Sequence, residues 1–328
     1  MRKDRRWPYA VAVGAFIAAG ASAALGPLLQ SVRSAPLMHA VAMSRVLLVT
    51  AVAALVVLAT WGFIRHGRNA RGRLFSISAV VAAVVLAMPL FVPAVGGEES
   101  VTAAKTPRGG ITVLTWNTGQ DDVPAATIQS LALDSEADVV VLPEYFDTVA
   151  AAQLVDWAES NGFQVLSQEA STSSVLISER LGSYSANMDG VPPWAGFVAT
   201  PSDPGSPKIV VAHVEHARLW SASLWNEHLD WISSECSDRN VIAVGDFNAT
   251  RENLDAGTLG ACTDSASALG KAQAGTSPVT LPVLLGAQID RVMTGSGWHA
   301  SDFSVLTSYD GAGSDHRPVL ARVTKGAP

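Results

Sequence analysis

Nine polar side chains in the latter two-thirds of this sequence stand where short apolar runs stop. Asn117 ends ITVLTWN, Glu144 ends VVVLPE, His213 ends IVVAH, and Asp246 and Asn248 end VIAVGDFN. Asp290 sits in QIDRV, and Ser314, Asp315 and His316 lead into the last apolar run. Glu144, Asp315 and Asn117 offer hard oxygens with no cysteine cluster beside them, a donor set that suits Mg²⁺ or Mn²⁺ rather than a structural zinc. Asp and His together can accept and return protons. A hard cation next to an Asp base and a His is a kit for hydrolysing phosphoesters, the metal offsetting phosphate charge while the Asp activates water.

Each of these residues also has an ordinary reading. Asn117 can cap a turn, Glu144 can be a solvated loop acid, Asp246 and Asn248 can form an Asx turn, and His316 can be a core histidine. Their positions depend on the elements that carry them. Runs and breakers predict strands over 111–116, 138–142, 163–166, 174–178, 196–200, 208–213, 241–245, 288–293, 301–307 and 318–323. Helices are expected over 125–134, 148–160 and 219–236, and a loop-rich stretch over 251–286. Trp157 is expected on a buried helix face. Trp220 and Trp231 are expected to share a face as packing residues, core or membrane-facing, with Trp225 to the side. Strands alternate with helices early and lose that alternation later, which indicates an α/β fold with mixed sheets. Strand ends are where such a scaffold holds a site, because the sheet is rigid and the loops leave it open.

The strings WN, PE, GDFNA, ID and SDHRP, in this order, resemble the endonuclease/exonuclease/phosphatase (DNase I-like) superfamily, in its membrane-anchored bacterial branch. The resemblance covers about residues 110–324. It implies a four-layer α/β sandwich, two mixed sheets flanked by helices, with the site at one end. It further implies that Glu144 is the main metal ligand, with Asn117 and Asp315 near the Mg²⁺ or Mn²⁺. Asp246 would orient or deprotonate the attacking water and Asn248 would hold the scissile phosphate. His316, paired with Asp290, would stabilise the pentavalent phosphorus or protonate the leaving group, and His213 would be a second phosphate-facing histidine. Gly119 departs from the acidic residue that some family nucleases carry two positions after the Asn, which bears on a second metal site and not on the main one. His216 reads as a rim residue. Arg291 and Arg317 flank the motifs and suit either substrate contact or salt bridges.

The first hundred residues are of another kind. Three stretches lack charge, 7–32, 46–64 and 74–97, and each is long enough to cross a bilayer, which takes about 20 apolar residues. They predict transmembrane helices near 7–29, 46–64 and 75–95, an anchor over 1–95, a linker over 96–110 and a catalytic domain over 111–324. Arg2, Lys3, Arg5 and Arg6 precede the first span, and Arg65, Arg68, Arg71 and Arg73 separate the second from the third. Basic loops stay in the cytoplasm, so the N-terminus is expected inside and the domain outside the cell membrane. In that compartment Cys236 and Cys262 suit a disulfide as well as two buried thiols.

Charge bears on the substrate. From position 100 onward there are 12 basic and 26 acidic residues, a formal charge of −14, poorly matched to a nucleic-acid backbone. A tethered domain meets lipid headgroups at high effective concentration. The expected partner is a phosphate-bearing substrate, lipid-linked or of the cell envelope, with an extracytoplasmic nuclease and a non-catalytic binding member as alternatives.

Overall fold

The computed structural model describes residues 33–34, 38, 42, 44–66, 76–83, 109–120, 122–145, 149–255 and 257–326. Helix α1, Ser44–His66, is 23 residues long, about 35 Å at 1.5 Å per residue. Among the described residues it is the one helix long and apolar enough to span a membrane. The expected span over 7–29 lies outside the described residues. The span over 75–95 is described only across 76–83, which is helical.

The domain opens with β1 (Ile111–Thr115), α2 (Ala125–Asp134), β2 (Val139–Pro143), α3 (Val149–Ser160), β3 (Phe163–Gln168) and β4 (Ser173–Ser178). There follow β5 (Tyr184–Asn187), β6 (Gly196–Pro201), β7 (Lys208–His213), α4 (Ala222–Glu235) and β8 (Val241–Asp246). It closes with β9 (Thr258–Leu259), β10 (Cys262–Asp264), α5 (Ser265–Ala268), β11 (Asp290–Thr294), β12 (Trp298–Val305) and β13 (Val319–Lys325). Two sheets result, ordered β12-β13-β1-β2-β4-β3 and β5-β6-β7-β8-β11-β10-β9.

Each sheet contains one parallel pair, β1 with β2 and β7 with β8; the remaining pairings are antiparallel. Strands β1, β2 and β8 are buried along their whole length and β7 along its four central residues, which is why they read as unbroken apolar runs rather than alternating ones. Alternate side chains serve different layers. Val113, Val141, Val211 and Val244 fill the space between the sheets. Leu114, Val140 and Leu142 pack outward on α2 and α3, through Ile128, Leu131 and Leu154. Val210, Ala212 and Ala243 pack outward on α4, through Trp225, Leu229 and Ile232. The result is helix, sheet, sheet, helix: two mixed sheets flanked by helices, as the strings implied.

Several local expectations need correction. The stretch 251–286 contains β9, β10 and α5, and β5 was not foreseen. Helix α4 starts at Ala222, so Trp220 precedes it and is 80% exposed, whereas Trp225 and Trp231 are the buried pair. Trp157 is half-buried and stacks on Phe163 with centroids 5.9 Å apart. Cys236, capping α4, and Cys262, opening β10, form a disulfide with a Cα–Cα distance of 5.2 Å. Closing its 26-residue interval stabilises the fold by about 3–4 kcal/mol in the chain-entropy account.

The segment before β1 touches the domain at three points. Arg33 pairs with Asp230 of α4 at 2.6 Å. Met38 is buried beside Trp225 and Leu229, and its carbonyl accepts from Asn253. Arg45, at the start of α1, donates to the carbonyls of Gln273 and Leu284 at 2.6 and 3.0 Å.

Candidate active site

A parallel pair brings the carboxyl ends of both its strands to one edge of the sheet, and an antiparallel neighbour begins at that same edge. Both sheets use this geometry. Asn117 and Glu144 follow β1 and β2, while His316 lies just before β13, which pairs with β1. His213 and Asp246 end β7 and β8 directly opposite each other, and Asp290, the first residue of β11, faces Asp246. The two edges meet, and their side chains bond across the seam.

Asn117 Nδ2 donates to Glu144 Oε1 at 3.0 Å and to Asp246 Oδ2 at 3.1 Å, linking the two sheets. Its Oδ1 accepts from the Gly119 N–H at 3.0 Å, and its carbonyl accepts from Ser314 Oγ at 2.6 Å. Glu144 adopts φ +59° and sits with Oε1 3.5 Å from His213 Nε2. His316 Nδ1 donates to Asp290 Oδ2 at 2.8 Å. One ligand atom from each of Asp246, Asp290 and His316 lies within 4.8 Å of the others. Asn248, at φ +45°, turns its backbone N–H onto Asp246 Oδ1 at 2.8 Å, and its Nδ2 reaches the Val214 carbonyl at 2.8 Å. Asp315 stands apart, with 68% of its side chain exposed and Oδ1 3.9 Å from His316 Nε2.

The electrostatics follow from this crowding. The hydrogen bond from His213 holds the Glu144 carboxyl at about 2, against the opposing effect of burial, so it is ionised at neutral pH. Burial works against charge on His213, but the bond to Glu144 and the nearby Asp246 charge raise its pKa on balance. Burial likewise opposes His316, yet the charge and hydrogen bond of Asp290 push it up to about 10. Asp246, fully buried and beside Asp290, is raised, first by desolvation and then by that like charge.

The donors fit a hard cation. They are carboxylate oxygens: Glu144 is ionised, and Asp290 Oδ1 is buried with no hydrogen-bond partner. An orphaned buried carboxylate oxygen is costly unless a cation or water meets it. Beside this cluster a cavity of about 390 Å³ is lined by Glu144, His213, Thr172, Trp194, Glu215 and His216, among others.

Supporting residues hold the reactive ones. The Trp116 indole donates to the His316 carbonyl, and Ser314 Oγ accepts from the His316 N–H. Thr172 Oγ1 lies 2.9 Å from His213 Nδ1. Gly245 has φ +139°, and a Cβ there would lie 2.0 Å from the Ala212 carbonyl oxygen, so the β7–β8 approach beside His213 and Asp246 requires glycine. Arg291 is fully buried, bonds the Ala249 and Gln288 carbonyls and pairs with Asp264 at 3.0 Å, bracing the 246–249 turn from behind. Arg317 pairs with Asp310 at 2.7 Å and bonds three backbone carbonyls. Both arginines are therefore structural partners of the loops. Thr172 was missed in the sequence, since a threonine between strands carries no distinguishing pattern; Trp116 was read as part of the WN string, but its bond to the His316 carbonyl was not foreseen.

No curated protein sequence matches the chain. Solved structures do match in fold. The endonuclease/exonuclease/phosphatase from Beutenbergia cavernae is 18% identical over 67% of this chain and 72% of its own, with a TM-score of 0.50. That from Bacteroides vulgatus is 14% identical over 66% of this chain and 99% of its own, at 0.51. TDP2 from C. elegans is 13% identical over 83% of this chain and 92% of its own, at 0.52. The sequence profile of the Endonuclease/Exonuclease/phosphatase family aligns with residues 114–316, from within β1 to His316, and a match over more than half of the chain means that it belongs to this family of phosphoester hydrolases.

Proposed function

We propose that this chain is a membrane-anchored, metal-dependent phosphoesterase with an extracytoplasmic site, hydrolysing a phosphoester or pyrophosphate that is lipid-linked or of the cell envelope. The observation that carries the chemistry is the bonded seam in which Asn117 joins Glu144 to Asp246 across two sheets. Glu144 would be the main ligand of Mg²⁺ or Mn²⁺, with Asn117 and Asp315 near it, and the ion would offset charge on the phosphate. Asp246, its pKa raised, takes the proton of the attacking water while the Asn248 N–H and side chain hold its carboxylate in place. As the new P–O bond forms, the old one breaks. His316, held protonated by Asp290, delivers its proton to the departing oxygen. His213 stands beside Glu144 on the cavity wall as the second phosphate-facing histidine.

The membrane reading has its own support. Arg33 and Arg45 contact the domain, so α1 begins on the domain's side of the bilayer. A helix that crosses from there must be followed by a second crossing before Gly109, and the apolar stretch 75–95 supplies it. The four arginines at 65–73 then stay in the cytoplasm. The Cys236–Cys262 bond suits an oxidising compartment.

The test is phosphate release by full-length protein with Mg²⁺, comparing polyprenyl pyrophosphate, sphingomyelin, inositol phosphates and DNA. Turnover of a lipid-borne or envelope phosphate is expected; turnover of DNA alone would transfer the assignment to the nuclease alternative. EDTA should stop the reaction and Mg²⁺ or Mn²⁺ restore it; full activity in chelator would reject the metal.

A further inference from the structure

Five large apolar side chains of the domain are exposed among the described residues: Leu133, Trp194, Leu219, Trp220 and Leu284. Isolated exposed apolar residues are normal on any surface, but grouped ones mark a contact. Leu133 is isolated at the end of α2. The others gather where the domain meets its anchor or its cavity. The Leu284 carbonyl accepts from Arg45 at the start of α1. Leu219 and Trp220 lead directly into α4, whose Asn226 and Asp230 meet Arg33. Trp194 lines the cavity of Glu144 and His213 together with Glu215 and His216, which begin the same loop as Trp220.

That loop is shaped to present its tip. The Arg218 N–H and Ser221 Oγ both donate to the His216 carbonyl at 2.7 Å, folding 216–221 into a tight turn. Trp220 is then 80% exposed and Leu219 58% exposed, and the Arg218 guanidinium sits 5.8 Å from the Trp220 ring centroid. A tryptophan with an arginine against its face suits the bilayer interface, where one part of the pair meets acyl chain and the other meets headgroup.

We infer that the 216–221 loop inserts Leu219 and Trp220 into the outer interface of the bilayer that α1 crosses. The inference rests on the membrane reading above and extends it to the substrate's approach. Four steps along the chain lead from His216, on the cavity wall, to Trp220, a reach of at most about 14 Å. The cavity of Glu144 and His213 therefore opens beside the headgroup layer, and a phosphate carried by a lipid reaches it without leaving the membrane.

The experiment uses full-length protein in phosphatidylcholine nanodiscs doped with a phosphatidylcholine bearing a photoactivatable diazirine on its acyl chain. After irradiation, lipid adducts are expected on the peptide containing Leu219 and Trp220, with α1 as the internal positive control. Label on α1 with none on the loop would overturn the inference, as it would if a second copy or another protein covered the tip. Separately, Trp220→Ser and Leu219→Ser should lower turnover of polyprenyl pyrophosphate in the nanodisc about tenfold while keeping turnover of a water-soluble phosphodiester within twofold; equal losses on both would also overturn it. Loop label without turnover of any lipid phosphate would uphold the membrane contact and end the lipid-linked reading. Lipid turnover without loop label would do the reverse.

Discussion

Two acid–histidine pairs face each other across the seam, and each takes one residue from either sheet. Asp290 with His316 is sealed, the side chains 0% and 9% exposed. Glu144 with His213 is open, the side chains 18% and 16% exposed and both on the cavity wall. The sealed pair is short, at 2.8 Å, and sets the imidazole by a single bond; the open pair is longer, at 3.5 Å, and lines the cavity. The difference teaches a division of labour. A proton donor gains from a fixed, dry partner that holds its charge, whereas groups that must admit substrate and cation cannot be closed against each other.

Substitutions can break this comparison, and the largest effect is expected at the residue between the pairs. Asp246→Asn should lower kcat by roughly 10³–10⁴ with the fold intact by near-UV circular dichroism, in line with the removal of a general base. Turnover near the wild-type rate would remove Asp246 from the mechanism. His316→Gln should cost roughly 10²–10³ in kcat with KM little changed. If Asp290→Asn left the rate untouched, the sealed pair would have no catalytic meaning. Glu144→Gln should raise the Mg²⁺ concentration for half-maximal activity by roughly tenfold or more, and His213→Gln by less, because His213 touches that ligand rather than the ion. Titration of activity with Mg²⁺ in chelator-treated protein measures both.

The pairs should also separate along pH, with a smaller effect read as stability. His316 is raised from 6.5 to about 10, so its stabilisation is complete below about 6.5 and lost as pH climbs through 10. Glu144 is lowered from 4.5 to about 2, so its stabilisation is complete above about 4.5 and lost as pH falls through 2. Urea midpoints across the pH range should show His316→Gln flattening the slope approaching pH 10 and Glu144→Gln the acid slope. His213→Gln should change both ends, because it removes the bond that lowers Glu144 and its own raised pKa.

The strands that carry the site were legible because they are buried on both faces: ITVLT, VVVLP and VIAVGD can be little else, and their polar last residues then had to sit at an edge. Strand β5 escaped because Tyr184–Asn187 has one buried residue of four and no apolar run. Strands β9 and β10 are two and three residues long, too short for a period to exist. Trp220 was placed on a helix face with Trp231 because helical spacing was extended past the true start of α4, and Trp225 was undervalued for the same reason. Arg291 and Arg317 could not be decided in one dimension. Their partners are Asp264, at the end of β10, and Asp310, in the loop before β13, and only the folded chain brings them to 3.0 and 2.7 Å. The contacts of Arg33 and Arg45 with the domain were equally invisible, being separated by about two hundred residues of chain.

Gly245 carries no functional group, yet its backbone lies against Ala212 so closely that any side chain would push β7 from β8. His213 and Asp246 are the next residue on each strand, so that wedge would misalign a member of both halves of the reaction centre at once. A search for inactivating mutations should therefore recover position 245 alongside the acids and histidines. Substrate complementation would not rescue such alleles, because what is lost is the spacing between two strands rather than any reacting atom.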